Sequence, residues 1–481
     1  MSNPSTSFGQ SPPHHGSLLI HPPAQAGLPS NAVASKKINT KDIQGDILVG
    51  IKKAKESFLF FQITNSNSFR SKLGKQIYSR VTSVAQLLAD PSQQPTTALN
   101  IAFSQAGLTA MGIFDPIGDS DFSGGQFGAA GTLGDNTTNW DPAFTSGQVH
   151  GVLMFISNTT DNINSELNEV QSMLSDCITP IYRLDASARP GAYQGHEHFG
   201  YMDGIGQPNV DGFGAAQPGQ TTVPLGTIIT GETGDNTFGR PSWTVGGSFL
   251  AFRKLQQLVP EFNKFLSDNA ISMPGMSQEQ GAELLGARMI GRWKSGAPID
   301  LTPLADDPVL AADPTRNNNF DFTHPGFDLT SDQSHCPFTA HIRKTNPRAD
   351  INPQNIINHI VRAGIPYGDE VTADEADSNK TNALLFKVSY QSSIANGFVF
   401  QQQNWANNVA FPPGKNVSQP GFDPIVGENG GQSRVVTGLY PDNASQSLTM
   451  PMDFVISRGG EYFFSPPISA LKGRLSGGFS F

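Results

Sequence analysis

The sequence has few charged residues, few cysteines and no long apolar run. Charged residues make up 15% of its 481 residues, whereas about a quarter is usual in soluble proteins. Its two cysteines, Cys177 and Cys336, are too few for a disulfide framework. No segment approaches the roughly 18 consecutive apolar residues of a membrane span. Disulfide scaffolds and integral membrane proteins are therefore excluded, and the composition also excludes collagen and coiled coils.

The charge balance is acidic. Lysine and arginine total 31 against 41 for aspartate and glutamate, which gives a formal net charge of −10. This balance argues against nucleic acid or an anionic membrane surface as the main partner. Phenylalanine is abundant, with 32 residues against 8 tyrosines and 4 tryptophans. The sequence thus predicts a phenylalanine-rich core and few easily oxidised aromatic side chains.

Residues 1–38 are rich in proline, serine and histidine, and we interpret them as a flexible extension. The following segment predicts strand, helix, strand, strand and helix, the order of a ferredoxin-like sheet. The apolar positions that predict these elements are Phe58–Ile63, then Leu73, Ile77, Val81, Val84 and Leu88, then Leu99, Ile101 and Phe103, then 149–156, then Ile163, Leu167, Val170 and Leu174.

The C-terminal half repeats this pattern. Strands are predicted at 249–252, 383–388 and 461–464, and a helix at 283–293. Glycine-, proline- and aspartate-rich segments separate them, and loops this long in a compact protein are usually functional or disordered. The sequence therefore predicts an α+β fold of two related halves, residues 39–225 and 226–481.

A first candidate motif is the segment 195–204, which ends Gly200-Tyr201-Met202-Asp203-Gly204. Glycine on both sides of Asp203 predicts a tight turn that presents a carboxylate. An ordinary turn aspartate is one interpretation. A metal site formed by His196, His198 and Asp203 is another, although convincing further ligands are not evident nearby.

A second motif runs from Ser334 to Arg348, where His341 precedes three basic residues. This positive segment suits a partner with carboxylates, or else it is a solvated basic loop. A third motif, His359–Gly368, places Arg362 after an apolar stretch, where a helix C-terminal cation is the ordinary interpretation. An acidic run follows it, formed by Asp369, Glu370, Asp374, Glu375 and Asp377.

Together these motifs resemble those of the dye-decolourising peroxidases, and of their fungal branch in particular. The similarity runs from about Asp42 to the C-terminus and also includes Leu384-Leu385-Phe386, Gly421–Ile425 and Arg458–Phe464. The resemblance implies two ferredoxin-like halves, with antiparallel sheets and packed helices, that enclose a haem pocket. It implies one haem b (heme b) per chain as cofactor and hydrogen peroxide as oxidant.

By this resemblance, His341 is the axial ligand of the haem iron. Asp423 accepts the other ring N–H of that histidine, and Arg348 is a candidate for the haem propionates. Asp203 is the base that moves the peroxide proton, and a carboxylate base implies an acid pH optimum. Arg362 stabilises the developing negative charge. Leu384 and Phe386 wall the distal pocket. The alternative ligands are His335 and a Cys336 thiolate.

The resemblance also implies bulky aromatic donors and dyes, which are too large for such a pocket. Electrons would then enter through oxidisable residues near the surface, for which Tyr367 and Trp405 are the candidates. The acidic run beyond Tyr367 suggests cationic donors, and Mn(II) prefers carboxylate ligands. The chain is expected to be a monomer or homodimer.

The function predicted from the sequence is thus a haem peroxidase. A haem-binding or haem-transfer protein without turnover is the alternative, although simple binding needs neither Asp203 nor Arg362. An extracellular location is implied by the resemblance, and a cytoplasmic one is the alternative because no apolar leader is visible. Glycosylation sequons begin at Asn136, Asn158, Asn379, Asn416 and Asn443.

Overall fold

A computed structural model describes Ala34 and residues 37–50, 54–351, 356–372, 375 and 384–478. The strands are β1 Lys55–Ile63, β2 Ala98–Phe103, β3 Gly151–Ser157, β4 Ile178–Ser187, β5 Asn209–Val210, β6 Thr222–Val223, β7 Ser248–Gln257, β8 Val361–Arg362, β9 Ile365–Tyr367, β10 Leu384–Gln391, β11 Arg434–Val436, β12 Leu448–Met450 and β13 Val455–Ser465. The α-helices are α1 Gly45–Val49, α2 Ser66–Lys72, α3 Val84–Leu87, α4 Gln105–Ala110, α5 Ser120–Leu133, α6 Thr160–Leu174, α7 Val259–Asp268, α8 Gln278–Ile290, α9 Pro308–Ala312, α10 His341–Thr345 and α11 Ile468–Lys472.

Most of the strands join one nine-stranded antiparallel sheet. Its order is β4-β1-β3-β2-β13-β7-β10-β8, and β9 also pairs with β10. Strands β1 to β4 form one half of the sheet, and the other five strands form the second half. In each half, the strand that comes first in the sequence, β1 or β7, lies between the last strand of that half, β4 or β13, and a third strand, β3 or β10. The halves join where Phe464 of β13 pairs with Phe103 of β2. Because β4 also contacts β9, the sheet curls towards a barrel.

Side chains of the central strands alternate between two cores. Phe58 and Phe60 of β1 lie in one core, and Leu59 and Phe61 lie in the other. A strand presents successive side chains to opposite faces, so strands that are apolar at nearly every position are buried on both. The α+β prediction with two ferredoxin-like halves is confirmed, while the boundary at residues 225 and 226 stays a prediction.

One predicted helix is wrong in its extent. The apolar spacing predicts a single helix over residues 73–88, but helical structure begins at Ser66 and stops at Arg80. Val81 is extended (φ −65°, ψ 123°). A new helix, α3, then begins at Val84, and its N-cap Ser83 forms a capping box with Gln86. The two segments also face different cores, since Leu73, Ile77 and Val81 lie in one core and Val84 and Leu87 lie in the other.

The long loops and helices α7 and α8 build a third core beside the sheet. Phe199, Tyr201 and Leu255 belong to it, together with apolar residues of both helices. This core supports the segment that carries Asp203. Among the described residues, no helix combines the length and the apolar character that crossing a membrane requires.

Candidate active site

Several of the predicted site residues line one large cavity. Asp203 reaches it from the loop after β4, His341 from the start of α10 and Arg362 from β8. The cavity holds about 1510 Å³ of space, its open mouth included. Its lining is largely apolar, with Phe199, Leu255 and other aliphatic side chains between the polar groups. Residues more than 150 positions apart in the sequence are thus brought to a single site.

Asp203 and Arg362 form an ion pair in this cavity. Arg362 Nη1 donates to Asp203 Oδ1 over 2.9 Å, and the side chains of Arg362 and Asp203 are 26% and 37% exposed. Arg362 Nη2 also donates to the carbonyl of Gly206 over 3.1 Å. The backbone of Arg362 is fixed by Gln207, which donates to its carbonyl (2.6 Å) and accepts from its N–H (3.0 Å). The guanidinium is therefore held against the carboxylate from two directions.

The turn that presents Asp203 is held by a buried carboxylate. Glu197 accepts hydrogen bonds from the N–H groups of Phe199 (2.9 Å) and Tyr201 (2.8 Å) and from the side chain of Gln257. Burial raises the pKa of Glu197 even though these bonds oppose the shift. Gly204 has φ +81°, as the predicted tight turn requires. Its N–H donates to Asp203 Oδ1 over 2.5 Å, so the turn also orients the carboxylate.

His341 is oriented by Asp423. The distance from His341 Nδ1 to Asp423 Oδ2 is 2.8 Å. Asp423 Oδ1 accepts from the N–H groups of Ile425 (2.8 Å) and Val426 (3.0 Å). Burial alone would raise the pKa of Asp423, but the neighbouring His341 and the two amides outweigh it and lower that pKa. An ionised Asp423 keeps the proton on Nδ1 and leaves the lone pair on Nε2 for a metal.

Two buried guanidinium groups also line the cavity without a carboxylate partner among the described residues. Arg348 donates to the carbonyls of Gly219 (3.0 Å), Asn318 (3.1 Å) and Phe320. Arg292 donates to the carbonyls of Gly296 (2.9 Å) and Asn317 (2.6 Å). Burial lowers the pKa of Arg348 to about 10, and burial with the nearby positive charges lowers that of Arg292 to about 9.

These features fit a bound haem. An apolar cavity suits the faces of a porphyrin, and His341 offers the nitrogen that an iron ligand requires. Arg292 and Arg348 supply positive charge that no acidic side chain of the described residues neutralises, which suits two propionates. Sequence reasoning suggested Arg348 but missed Arg292. The feature of the sequence that could have revealed Arg292 is its position in the otherwise apolar end of the predicted helix 283–293.

Several other predicted site residues lie elsewhere or cannot be placed. Leu384 and Phe386 belong to β10 as predicted, but their side chains lie outside the described residues. Tyr367 and Trp405 were predicted near the surface, and this placement is wrong: they are 5% and 3% exposed. Tyr367 packs in the core beside Lys254, and Trp405 stacks on Phe411 with ring centroids 5.5 Å apart.

The acidic run is only partly described. Asp369 is exposed, and Glu375 accepts from the N–H and hydroxyl of Thr372. Glu370 is bound by Arg189, whose Nε and Nη2 donate to its carboxylate over 2.9 and 2.5 Å. Asp374 and Asp377 lie outside the described residues. Glu370 is thus engaged by a guanidinium and is not a free carboxylate for Mn(II).

The alternative ligands do not meet at a metal site in this cavity. His198 contacts the carbonyl of Tyr367 through Nε2 (2.9 Å), and no metal-ligand cluster of His196, His198 and Asp203 forms in the described part. His335 lies outside the cavity lining, where its Nδ1 contacts Asp332. Cys336 is fully buried, and burial raises the pKa of its thiol, which disfavours a thiolate.

Comparisons with known proteins agree with this site. Residues 42–190 match the family model "DyP dimeric alpha+beta barrel domain", and residues 209–410 match "Dyp-type peroxidase, C-terminal". The chain is 54% identical to Peroxidase 2 of Mycetinis scorodonius, with 97% of this chain and 94% of that protein covered. It is also 54% identical to a dye-decolorizing peroxidase of Auricularia auricula-judae, with 96% and 92% covered.

The fold agrees with solved structures as well. A crystal structure of the decolorizing peroxidase from Auricularia auricula-judae superposes with a TM-score of 0.88 at 54% identity, covering 91% of this chain and all of that one. Both family models, the full-length relatives and the structural match lead to the same assignment. The chain belongs to the dye-decolourising peroxidase family and is a haem peroxidase.

Proposed function

We propose that hydrogen peroxide is reduced in the cavity described above, with Asp203 as proton carrier, Arg362 as its electrostatic partner and His341 as the residue that would bind the haem iron. The observation that carries this proposal is the Asp203–Arg362 ion pair in the same cavity as the His341–Asp423 pair. Haem, when bound there, would supply the iron at which the peroxide O–O bond is cleaved and through which donors are oxidised. One haem per chain is part of this proposal.

On the proximal side, Asp423 would fix the tautomer of His341. The buried carboxylate, held by two backbone amides, accepts the Nδ1 proton, so Nε2 remains free to bind iron. In the described part of the chain no hydrogen bond engages Nε2. The negative charge of Asp423 would also make the imidazole a stronger electron donor to the metal.

On the distal side, Asp203 would take a proton from peroxide and return it to the leaving oxygen. Its carboxylate is 37% exposed, so it keeps contact with solvent for proton exchange. Arg362, 2.9 Å away, would stabilise the negative charge that develops on the departing oxygen. A carboxylate base remains ionised in mildly acidic solution, where an imidazole base would be protonated. We therefore propose an acid pH optimum.

For donors too bulky to enter the cavity, electrons would pass through buried aromatic residues. Trp405 contacts the rings of Phe400 and Phe411, and Tyr367 lies beside Lys254, which also binds the hydroxyl of Tyr182 over 2.7 Å. Both residues would serve as internal relays and not as surface contacts.

Mn(II) oxidation remains a proposal that now rests on Asp369 and Glu375, because Glu370 is paired with Arg189.

Secretion is likewise a proposal, supported by sequons that lie at exposed positions. Asn136, Asn416 and Asn443 are exposed, so their side chains are accessible to glycosylation. Peptide mapping of the protein from its natural source would reveal attached glycans. Unmodified sequons together with an intracellular location would contradict the proposal.

The oligomeric state is a further proposal. A monomer or homodimer is expected, and light scattering distinguishes the two.

Replacement of Asp203 by asparagine tests the catalytic proposal. Because asparagine keeps the shape but cannot accept the peroxide proton, we expect the rate of reaction with peroxide to fall by a factor of about 10² to 10⁴. Stopped-flow absorption measures this rate, and the Soret band reports haem content. Asp211→Asn is the matched control, since Asp211 lies in the same long segment but is exposed and pairs with Lys37 over 3.5 Å.

The outcomes separate an enzyme from a haem carrier. Retained haem with a lost peroxide reaction in Asp203→Asn, and a normal rate in Asp211→Asn, would support proton transfer by Asp203. An unchanged rate in Asp203→Asn would rule out that role. Loss of haem in Asp203→Asn would assign the residue to cofactor binding instead.

A further inference from the structure

A cluster of potential metal ligands lies outside the haem cavity, in the segment that precedes His341. One ring nitrogen each of His324 and His335 and a carboxylate oxygen of Asp332 all lie within 4.8 Å of one another. Neither histidine lines the cavity. We propose that His324, Asp332 and His335 form a second metal site, which binds a divalent transition-metal ion of the Zn²⁺ type independently of haem.

The two imidazole rings are already close together and stacked face to face. Their centroids are 3.7 Å apart and their planes differ by 14°. Asp332 Oδ2 lies 2.9 Å from His335 Nδ1. Ligand atoms bound to zinc at about 2.0 to 2.2 Å stand no more than about 4.4 Å from one another. The ligand atoms therefore need to approach by only a few tenths of an ångström, and the stacked rings need to turn so that their in-plane lone pairs point at one ion.

A buried carboxylate supports the cluster from outside. Asp300, which is 2% exposed, contacts Nε2 of His324 through Oδ1 over 3.0 Å. Its other oxygen, Oδ2, is buried and has no hydrogen-bond partner among the residues that the structure describes. A histidine that binds a metal through one nitrogen commonly donates its other ring N–H to a carboxylate. Asp300 thus supplies the partner that a metal-bound His324 requires.

The loop that carries Asp332 and His335 is held in place. Ser334 donates to Asp332 Oδ1 through its N–H (3.0 Å) and hydroxyl (2.6 Å). The buried guanidinium of Arg288 binds the carbonyls of Gln333 and Ser334, the latter over 3.0 Å. The side chain of Asp332 is only 9% exposed. The carboxylate of Asp332 and the backbone that leads to His335 are therefore held in place by neighbouring side chains.

The chemistry of the ligands selects the class of ion. Two imidazoles and one carboxylate favour borderline ions such as Zn²⁺ or Cu²⁺, whereas Ca²⁺ and Mg²⁺ prefer sites made of oxygen ligands. The side chains of His324 and His335 are 15% and 21% exposed, so an ion can enter and water can complete the coordination. An ion here would join the loop at Asp300 to the segment that leads to the axial histidine.

Zinc binding to the chelator-treated holoenzyme tests this proposal. We expect equilibrium dialysis with ZnCl₂ and elemental analysis to give one zinc per chain. The affinity would fall about tenfold or more in His324→Gln and in His335→Gln. Zinc in excess would raise the thermal midpoint of the wild type by about 2 °C or more, and that of these variants less. Cu²⁺ bound to the wild type would show electron paramagnetic resonance couplings to two nitrogens.

Two control variants make the result specific. Asp328→Asn removes an exposed carboxylate in the same loop and would leave zinc binding unchanged. A variant with His14, His15 and His21 replaced by glutamine, which removes the N-terminal histidines of the sequence, would also bind zinc normally. If either histidine variant of the cluster fails to fold, the zinc affinity of Asp332→Asn tests the proposal instead, since this substitution keeps the side-chain volume and one acceptor oxygen. Unchanged affinity after substitution in the cluster, or zinc lost with the N-terminal histidines, would overturn the proposal.

Discussion

Charged side chains around the cavity differ in whether another charge neutralises them. Arg343 is buried against Asp350, with Nε 2.7 Å from Oδ2. Arg292 and Arg348 are also buried, yet among the described residues their hydrogen bonds go only to carbonyl and amide oxygens, and both lie over the ring of Phe320. A buried cation without an anion is costly unless a ligand supplies one. This contrast distinguishes residues that hold the fold from residues that await a charged cofactor.

Replacement of Arg348 or Arg292 by methionine is expected to weaken haem binding. Each variant would lose one positive charge that faces the cofactor carboxylates, and we expect affinity for haem to fall about tenfold or more, since hydrogen bonds to charged groups contribute about 1.5 to 3 kcal/mol. Titration of the apoprotein with haem, followed by the Soret band, measures the change. Haem dimethyl ester, which lacks the carboxylates, would bind the variants and the wild type with similar affinity.

Arg288→Met is the matched control for this measurement. Arg288 is also fully buried and binds backbone carbonyls, but it does not line the cavity. Its loss would lower the stability of the protein without removing the preference for free haem over the ester. If Arg348→Met and Arg292→Met kept that preference, these residues would not be propionate ligands.

Asp423→Asn is expected to invert the tautomer of His341. The single amide oxygen would be taken by the N–H groups of Ile425 and Val426, which leaves an NH₂ group facing Nδ1. Nδ1 must then accept and Nε2 would carry the proton, so it could not bind iron. We expect activity to fall about 10- to 100-fold. Steady-state kinetics and resonance Raman detection of the iron–histidine bond check this, and an intact bond would contradict it.

Single residues were predicted unevenly from the sequence. Asp203, His341 and Arg362 stand in recognisable motifs, and the structure places them in one cavity. Arg292 has no motif, because its role depends on which strands and loops meet around it. The prediction that Tyr367 and Trp405 lie near the surface was wrong for the same reason. For Tyr367, its position shortly after Arg362 in the sequence does not show that β9 packs against the core.

At the scale of elements, the long buried strands were found and the breaks were not. β1, β3, β7 and β13 all overlap their predicted segments. The short strands β8 and β9, which carry Arg362 and Tyr367, were missed because two or three residues give no detectable period. The helix break at Val81 was missed because apolar spacing reports which face is buried, not whether the backbone is continuous.

The bulge in β13 makes a prediction about one glycine. The register with β7 shifts between Ser457 and Gly460, and a Cβ at Gly460 would lie 2.0 Å from the carbonyl oxygen of Phe252. Because backbone must move to accept it, Gly460→Ala is expected to destabilise the protein by about 3 kcal/mol. Chemical denaturation of the haem-free protein measures the loss.

Gly131→Ala provides the comparison within the same fold. Gly131 lies inside α5, and nothing comes within 4 Å of a Cβ built there. Alanine favours the helix over glycine by about 0.5 to 1 kcal/mol, so this variant should gain stability. Equal effects of the two substitutions would show that the close approach of β13 and β7 does not constrain Gly460.

For the whole molecule, the position of buried carboxylates determines how stability depends on pH. Burial raises the pKa of several of them above the value of a free side chain, and these are Glu197, Glu428, Asp453 and Glu461. Such a group holds its proton in the folded protein at pH values where the unfolded chain has released it. Its contribution is therefore most favourable below pH about 4 and is lost as the pH rises towards the folded-state pKa. These groups therefore favour the folded protein in acid, in line with the proposed acid pH optimum.

Glu461→Gln isolates this effect. Glu461 Oε1 accepts from the N–H groups of Gln126 (3.0 Å) and Tyr462 (2.8 Å), and the oxygen of glutamine can accept both bonds. The variant removes only the buried charge, so it should equal the wild type near pH 4 and exceed its stability at pH 7, because burial raises the pKa of Glu461 in the folded protein. Glu279→Gln should gain nothing, because hydrogen bonds lower the pKa of that exposed glutamate. A pH-independent difference between Glu461→Gln and wild type would mean that Glu461 stays ionised in the core.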